Sequence, residues 1–292
     1  LSQAQQTVYN RMEPLLLSGH PEAALLFGVT GSGKTQVYMR LIDRALQAGK
    51  SAIVLVPEIG LTPQLIRKFM AQFGGCTAVL HSALSVGERY DSWKRIRSGE
   101  ARVIVGTRSA VFAPAQNLGL IILDEEQDDA YKSENSPRYH ARDVAKYRAM
   151  QENAFVLLGS ATPAIETFYG AETGKYPVLH LRERYSGAAL PRVTIADMRG
   201  TIQQGYISAI GPVLRQAMQR CFAEGHQCIL FLNRRGAAKQ VTCPSCGWTP
   251  TCPSCSVSMT YHSVNHRLTL CPVRNRLAEL RNELIYDVTI RM

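Results

Sequence analysis

The sequence contains no run of about 18 apolar residues, the length needed to cross a bilayer as a helix. No membrane partner is therefore expected. Its first ten residues, LSQAQQTVYN, lack the basic end and apolar stretch of a secretory leader, so an export signal is not expected either. They also lack an initiating Met, which points to a piece of a longer protein. Charged residues are scarce at 19%, while hydrophobic residues make up 46%, a balance that excludes extensive disorder. Internal repeats and low-complexity tracts are absent. Acidic residues are the scarcer sign: 23 Asp and Glu stand against 33 Lys and Arg, a net charge of +10 that favours a polyanionic partner. With 292 residues the chain can bury one large core or two ordinary ones.

The cysteines divide sharply. Cys76, Cys221 and Cys228 are isolated, whereas Cys243, Cys246, Cys252, Cys255 and Cys271 crowd together. Paired CxxC knuckles without an export signal read as metal ligands in a reducing compartment rather than as disulfides. Cys243-Pro-Ser-Cys246 and Cys252-Pro-Ser-Cys255 each offer two thiolates at zinc-compatible spacing. The short spacer is tight for both pairs to close on one ion. His262 and His266 are either further ligands or ordinary surface histidines.

Residues 1 to 182 alternate strand and helix signals. Short apolar runs predict strands at 23–27, 52–56, 77–81, 102–106, 119–123 and 154–158. Val37, Leu41 and Ala45, with Tyr38, Ile42 and Leu46, recur at helical spacing, and Leu65, Ile66, Phe69 and Phe73 mark another helix. Such alternation predicts an α/β fold with a mostly parallel sheet covered on both faces. From about residue 191 the pattern restarts. PRVTIADM reads as a linker strand, Ile210 to Phe222 as a helix with an apolar stripe, and residues 228–233 as a strand.

A polar motif follows nearly every strand of the first part. GVTGSGKT follows the first, PEIGLTPQ the second, GTRSA the fourth, DEEQDD the fifth and GSATP the sixth. In an open parallel sheet the carboxyl ends of the strands share one edge, where ligands bind. The motifs therefore predict one composite site. The segment Gly28–Thr35 fits GxxxxGK[ST]: Gly28, Thr30, Gly31, Ser32 and Gly33 form a loop whose N–H groups can face phosphate, Lys34 reaches the phosphates and Thr35 ligates magnesium. Asp124 and Glu125 supply carboxylates for a magnesium shell and for orienting a water. Thr107 and Arg108 suit either a nucleic-acid backbone or a helix cap, and Ser160 and Thr162 suit either a site or an ordinary turn.

The set GVTGSGKT, LVPEIGLTPQ, VGTRSAVF, LDEEQD, YHARDVA, GSATPA and FLNRRG, followed by cysteine knuckles, resembles the primosomal replication-restart DNA helicases, the primosomal protein N′ family of superfamily 2. The resemblance implies a RecA-like ATP-binding helicase lobe over residues 1–185, a linker and the start of a second lobe over 186–242, a zinc-binding cysteine region over 243–271, and a C-terminal remnant over 272–292 after a break at Cys271. It implies that Gln5 reads adenine, that Lys34, Asp124 and Glu125 are catalytic, and that the cofactors are ATP, Mg2+ and Zn2+. Two zinc ions are implied in the full-length protein, one on Cys243 and Cys246 and one on Cys252, Cys255 and Cys271. Pro57, Glu58, Thr62, Thr107 and Arg108 would contact or support single-stranded DNA, and Ser160 and Thr162 would couple nucleotide to DNA.

The loop Tyr131 to His140 is expected to sense DNA, with Tyr131 and Tyr139 stacking on bases and Lys132, Arg138 and His140 meeting phosphates. The activity implied is 3′ to 5′ unwinding of abandoned forks with primosome assembly. The implied partners are single-stranded and forked DNA, other primosome proteins, single-stranded DNA-binding protein and a helicase loader, in a bacterial cytoplasm at the nucleoid. Two other readings compete: a different superfamily 2 translocase of repair or branch migration, and a DNA-binding assembly platform with weak ATPase. The chain departs from the family pattern at Gln127, where a His is common, in lacking a tryptophan between Tyr131 and Tyr139, in the solitary Cys271, and in the later motifs of the second lobe.

Overall fold

The computed structural model describes residues 1–134, 136–187, 191–197 and 210–231, with short paired strands at 241–242, 260–262, 267–269 and 289–290. Two compact units emerge, Leu1–Leu190 and Pro191–Met292.

The first unit is built on seven strands: β1 (Glu22–Gly28), β2 (Ser51–Leu55), β3 (Thr77–Leu80), β4 (Val103–Gly106), β5 (Leu118–Asp124), β6 (Phe155–Ser160) and β7 (Val178–Leu181). Their order across the sheet is β3-β4-β2-β5-β6-β1-β7, and every neighbouring pair is parallel. The helices between them are α1 (Gln3–Leu17), α2 (Lys34–Gln47), α3 (Pro63–Phe73), α4 (Val86–Arg97), α5 (Ala141–Glu152) and α6 (Ile165–Glu172).

Successive strand residues point to opposite faces, so a sheet covered on both sides needs apolar residues at every position. Leu26, Val54, Leu120, Ile122 and Leu157 pack with Met12 of α1, Val37 and Leu41 of α2 and Phe69 of α3. The alternating residues Leu25, Ile53, Ile121, Leu123 and Leu158 pack with Ile96 of α4, Ala145 of α5 and Ala171 of α6. The six expected strands form within a residue or two of their predicted ends. Strand β7 and helix α1 carried no sequence signal that had been read. Helix α1 begins with a capping box in which Ser2 accepts from the Gln5 backbone N–H and the Gln5 side chain accepts from the Ser2 backbone. An ion pair between Arg44 and Glu13 (2.7 Å) then ties α1 to α2.

In the second unit, α7 (Pro212–Ala223) forms where the apolar stripe predicted it. The expected strand at 228–233 does not form over its described part, nor does PRVTIADM form one over 191–197. A strand needs a partner to satisfy its N–H and C=O groups, and none pairs with 228–231 among the described residues. Ile229 and Phe231 are accordingly exposed. The pieces Thr260–His262 and Arg267–Thr269 pair antiparallel, as do Val241–Thr242 and Thr289–Ile290. The five clustered cysteines and His266 lie outside the described residues.

The central position of β2 gives a stability prediction. Ile53 is fully buried. Ile53→Ala should cost about 2–5 kcal/mol, read in urea as a lowered midpoint with an unchanged slope.

Candidate functional site

Strands β2, β5, β6 and β1 lie side by side in the order β2-β5-β6-β1, so their carboxyl-terminal loops meet on one edge. The first of these loops runs from Gly28 into α2. Gly31 and Gly33 take φ values of +81° and +80°, a region that favours glycine. A Cβ on Gly28 would sit 2.7 Å from Ser32 Oγ. Lys34 is buried, donates to the Gly28 carbonyl at 3.0 Å, and lies 3.6 Å from Glu125 Oε1. The loop is thus folded around a lysine head group. The buried Ser32 Oγ has no partner. An orphaned hydroxyl inside a glycine-rich turn fits a phosphate-bearing ligand with its cation.

Beside it, β5 delivers Asp124, whose Oδ1 accepts from the Tyr38 hydroxyl at 2.9 Å. Burial holds the Asp124 carboxyl above the usual carboxylate range, partly offset by that hydrogen bond. The Tyr38 hydroxyl is pushed well above its ordinary value, first by burial and then by the Asp124 charge. This contact exists because residue 159, opposite on β6, has no side chain: a Cβ there would collide with the Tyr38 hydroxyl. Tyr38 had been read only as a core position of α2.

Glu125 then turns with φ +47°, a costly conformation for a residue with a side chain. The turn aims its carboxylate back at Lys34. Its other oxygen accepts from Gln127 Nε2 at 3.0 Å, and Gln127 Oε1 accepts from the Ser160 hydroxyl at 2.6 Å. Ser160 Oγ in turn accepts from the Thr162 N–H at 2.8 Å. An unbroken polar chain therefore runs from the lysine of the glycine loop to the strand end of β6. Sequence reading named its ends; Gln127 was noted only as a departure, yet it is the link.

Glu126 was missed. It is fully buried and accepts from Arg142 (3.1 Å), Thr167 Oγ1 (2.9 Å) and the Ala164 N–H (2.8 Å). Burial without such partners would be prohibitive for a carboxylate. The pairing fixes the loops after β5 and β6 to the starts of α5 and α6.

The Tyr131–His140 loop requires a correction. Tyr131 is not available to stack on bases: it is fully buried, and its hydroxyl donates to the carbonyls of Asp124 and Leu55 at 2.6 and 2.9 Å. An aromatic two residues past the acidic DEEQDD run reads as loop by neighbourhood, but the chain folds it back beneath β5. Tyr139 is half-buried and packs edge-on against Phe112 at 5.0 Å. Phe112 is exposed and was not singled out beforehand. Arg108 donates to the carbonyls of Ala130 and Lys132 and lies 5.9 Å from the Tyr139 ring, so its guanidinium holds the loop. His140 caps α5 by accepting from the Arg142 N–H, and burial with the neighbouring Arg142 lowers its pKa. Lys132 and Arg138 are exposed.

Of the other expected DNA residues, Thr107 and Pro57 are buried and support the edge, whereas Glu58 and Thr62 are exposed, with Thr62 capping α3. Gln5 is buried; its side chain accepts from the Ser2 N–H and donates to the Ser32 carbonyl at 3.0 Å.

A model of the DEAD/DEAH box helicase family matches residues 3–169, the span that carries this edge. The chain belongs to the DEAD/DEAH box helicase family. Among curated relatives, it is 46% identical over 250 residues to the replication restart protein PriA of Bacillus subtilis, covering 86% of this chain and 31% of that protein. It is 47% identical over 251 residues to the PriA of Synechocystis, covering 84% and 29%. The chain thus spans about a third of the length of these relatives. Among solved structures, RecG bound to a three-way DNA junction aligns with a TM-score of 0.48 and 23% identity, over 75% of this chain and 28% of that one. Among the described residues of this helicase-family chain, no helix is long and apolar enough to cross a membrane.

The Tyr38–Gly159 contact can be tested by stability. Gly159→Ala should cost about 1–3 kcal/mol through overpacking. Adding Tyr38→Phe, which removes the colliding hydroxyl, should recover part of that loss. Additive losses in the double variant would disprove the steric account.

Proposed function

We propose that this chain is the ATP-binding lobe and the beginning of the second lobe of an ATP-dependent 3′ to 5′ DNA helicase acting in replication restart. The observation that carries the reading is the continuous chain Lys34–Glu125–Gln127–Ser160–Thr162, which joins a glycine loop to the neighbouring strand end. The high identity to replication restart proteins favours this over another repair or branch-migration translocase. The intact Lys34 and Asp124–Glu125 favour it over an assembly platform without nucleotide chemistry.

In this reading Gly28 to Thr35 hold ATP and Mg2+, with Lys34 on the phosphates, Thr35 and Asp124 toward the cation, and Gln5 toward adenine. Bound Mg·ATP supplies the phosphoanhydride whose hydrolysis drives movement. Glu125 Oε1 orients a water and takes its proton. Gln127, holding both Glu125 and Ser160, converts a change at the carboxylate into a shift of Ser160 and Thr162. Tyr131 transmits in the other direction: its hydroxyl grips the Asp124 carbonyl, so movement of the loop it begins reaches Asp124. Tyr139, Lys132, Arg138 and His140 form the DNA-facing part of that loop, with Phe112 of the turn after β4 packed beside Tyr139 and Arg108 as its brace, and Glu58 and Thr62 extend the track over supporting Pro57 and Thr107.

Residues 186–242 are a linker and the start of the second lobe. Cys243, Cys246, Cys252, Cys255 and Cys271 belong to a zinc-binding insertion that holds two ions in the full-length protein, and 272–292 derive from its C-terminal domain. The substrates are single-stranded and forked DNA. The protein partners are primosome components, single-stranded DNA-binding protein and a helicase loader, in a bacterial cytoplasm at the nucleoid.

Lys34→Ala should weaken or abolish ATP binding in isothermal titration; wild-type affinity in the variant would remove the assignment. Gln127→Ala in the full-length protein should reduce the ratio of DNA-stimulated to basal ATPase by a factor of about 5 to 150. Unchanged stimulation would mean that the polar chain transmits nothing.

A further inference from the structure

Among the described residues, three buried side-chain nitrogen or oxygen atoms lack a hydrogen-bond partner: Ser32 Oγ, Thr77 Oγ1 and Arg184 Nε. Buried polar atoms without partners are rare, and each calls for a physical reason. Thr77 lies on β3 at the far edge of the sheet. The residues that carry the other two, Ser32 and Arg184, line the same cavity of about 600 Å³. Its walls come from α1, with Gln5, Val8 and Arg11, from Ser32 of the glycine loop, and from the turn that leaves β7, with Arg184 and Tyr185.

That turn is fastened to the loop. The Tyr185 N–H donates to the Gly31 carbonyl at 2.8 Å, and the Gly187 N–H closes the turn on the Arg184 carbonyl at 2.9 Å. The Arg184 stem passes over Gly31, 3.8 Å from where a Cβ would stand, and Tyr185 Cβ stands at the same distance from that of Gly33. Tyr185 is 70% exposed. Lys34 does not line this cavity; it points to Gly28 and Glu125. The cavity therefore lies lateral to the phosphate-holding part of the loop, where the nucleoside of a nucleotide seated on that loop must extend.

Resting on the nucleotide-binding reading above, we propose that the turn 182–187 is the nucleoside wall of the site, with the Arg184 guanidinium and the Tyr185 ring holding the base. A planar guanidinium stacks on aromatic faces, and a tyrosine ring stacks on any base. The cavity opposes these groups to Gln5 on α1, so a purine is held between helix and turn.

The test compares two probes, ADP and inorganic tripolyphosphate, which lacks a nucleoside, by titration into the chain and its variants. Arg184→Ala should weaken ADP about tenfold, the size expected for a desolvated cation–π contact, and leave tripolyphosphate unchanged. Tyr185→Ala should weaken ADP about fivefold or more, and Tyr185→Phe should restore it. The exposed Tyr185 ring makes these two variants safe for folding, so they decide the matter if Arg184→Ala melts early. Unchanged ADP affinity in both alanine variants, or an equal loss for tripolyphosphate, would overturn the nucleoside wall. A wild-type chain that binds neither probe would instead overturn the nucleotide-binding reading itself.

Discussion

Glu126 is a carboxylate sealed from water, and its need for partners organises the edge of the sheet. Three donors meet it, from Arg142 on α5, from Thr167 on α6 and from the Ala164 backbone, and its own N–H reaches the Gly159 carbonyl on β6. Removing one partner of such a pair commonly costs about 3–5 kcal/mol because the remaining charge stays buried. The loops after β5 and β6 are therefore fixed relative to each other before any ligand arrives. Glu125 and Ser160, which flank this anchor, inherit its rigidity.

That rigidity explains why Glu125 can occupy a left-handed backbone conformation. Strain of this kind persists only where the surroundings over-determine it. Here Asp124 is held by Tyr38 and Tyr131, and Glu126 by its three donors, so residue 125 between them has no freedom to relax. The result is a carboxylate aimed at Lys34 across the gap between β1 and β5. A site built on strand ends and braced by helices keeps its geometry better than one on free loops.

The parallel sheet and its motif-bearing edge were legible in the sequence because both rest on local patterns. Continuous apolar runs such as IIL at 121–123 are what a doubly covered strand requires, and Gly31 and Gly33 answer to backbone conformations that few other residues take. Strand β7 escaped notice because the exposed His180 interrupts its apolar run. The strand expected at 228–233 illustrates the opposite failure: over its described part, 228–231, apolar, β-prone residues with no pairing neighbour among the described residues stay exposed.

Residue identity alone pointed to the fold class, the lysine of the glycine-rich loop and the pair of carboxylates after β5, since each depends on spacing within a few residues. Only the tertiary structure decided how these groups are joined. Gln127 became a bridge because β5 and β6 are neighbours, which the chain order does not announce. Tyr131 was assigned to the surface by its polar surroundings, yet the turn through Asp128 and Asp129 buries it under Asp124. Gly159 owes its identity to Tyr38, a residue 121 positions earlier, because a missing Cβ on one strand makes room for a hydroxyl arriving from a helix. Contacts between residues far apart in the chain carry no periodic signature, so their physics is visible only once the sheet has brought them together.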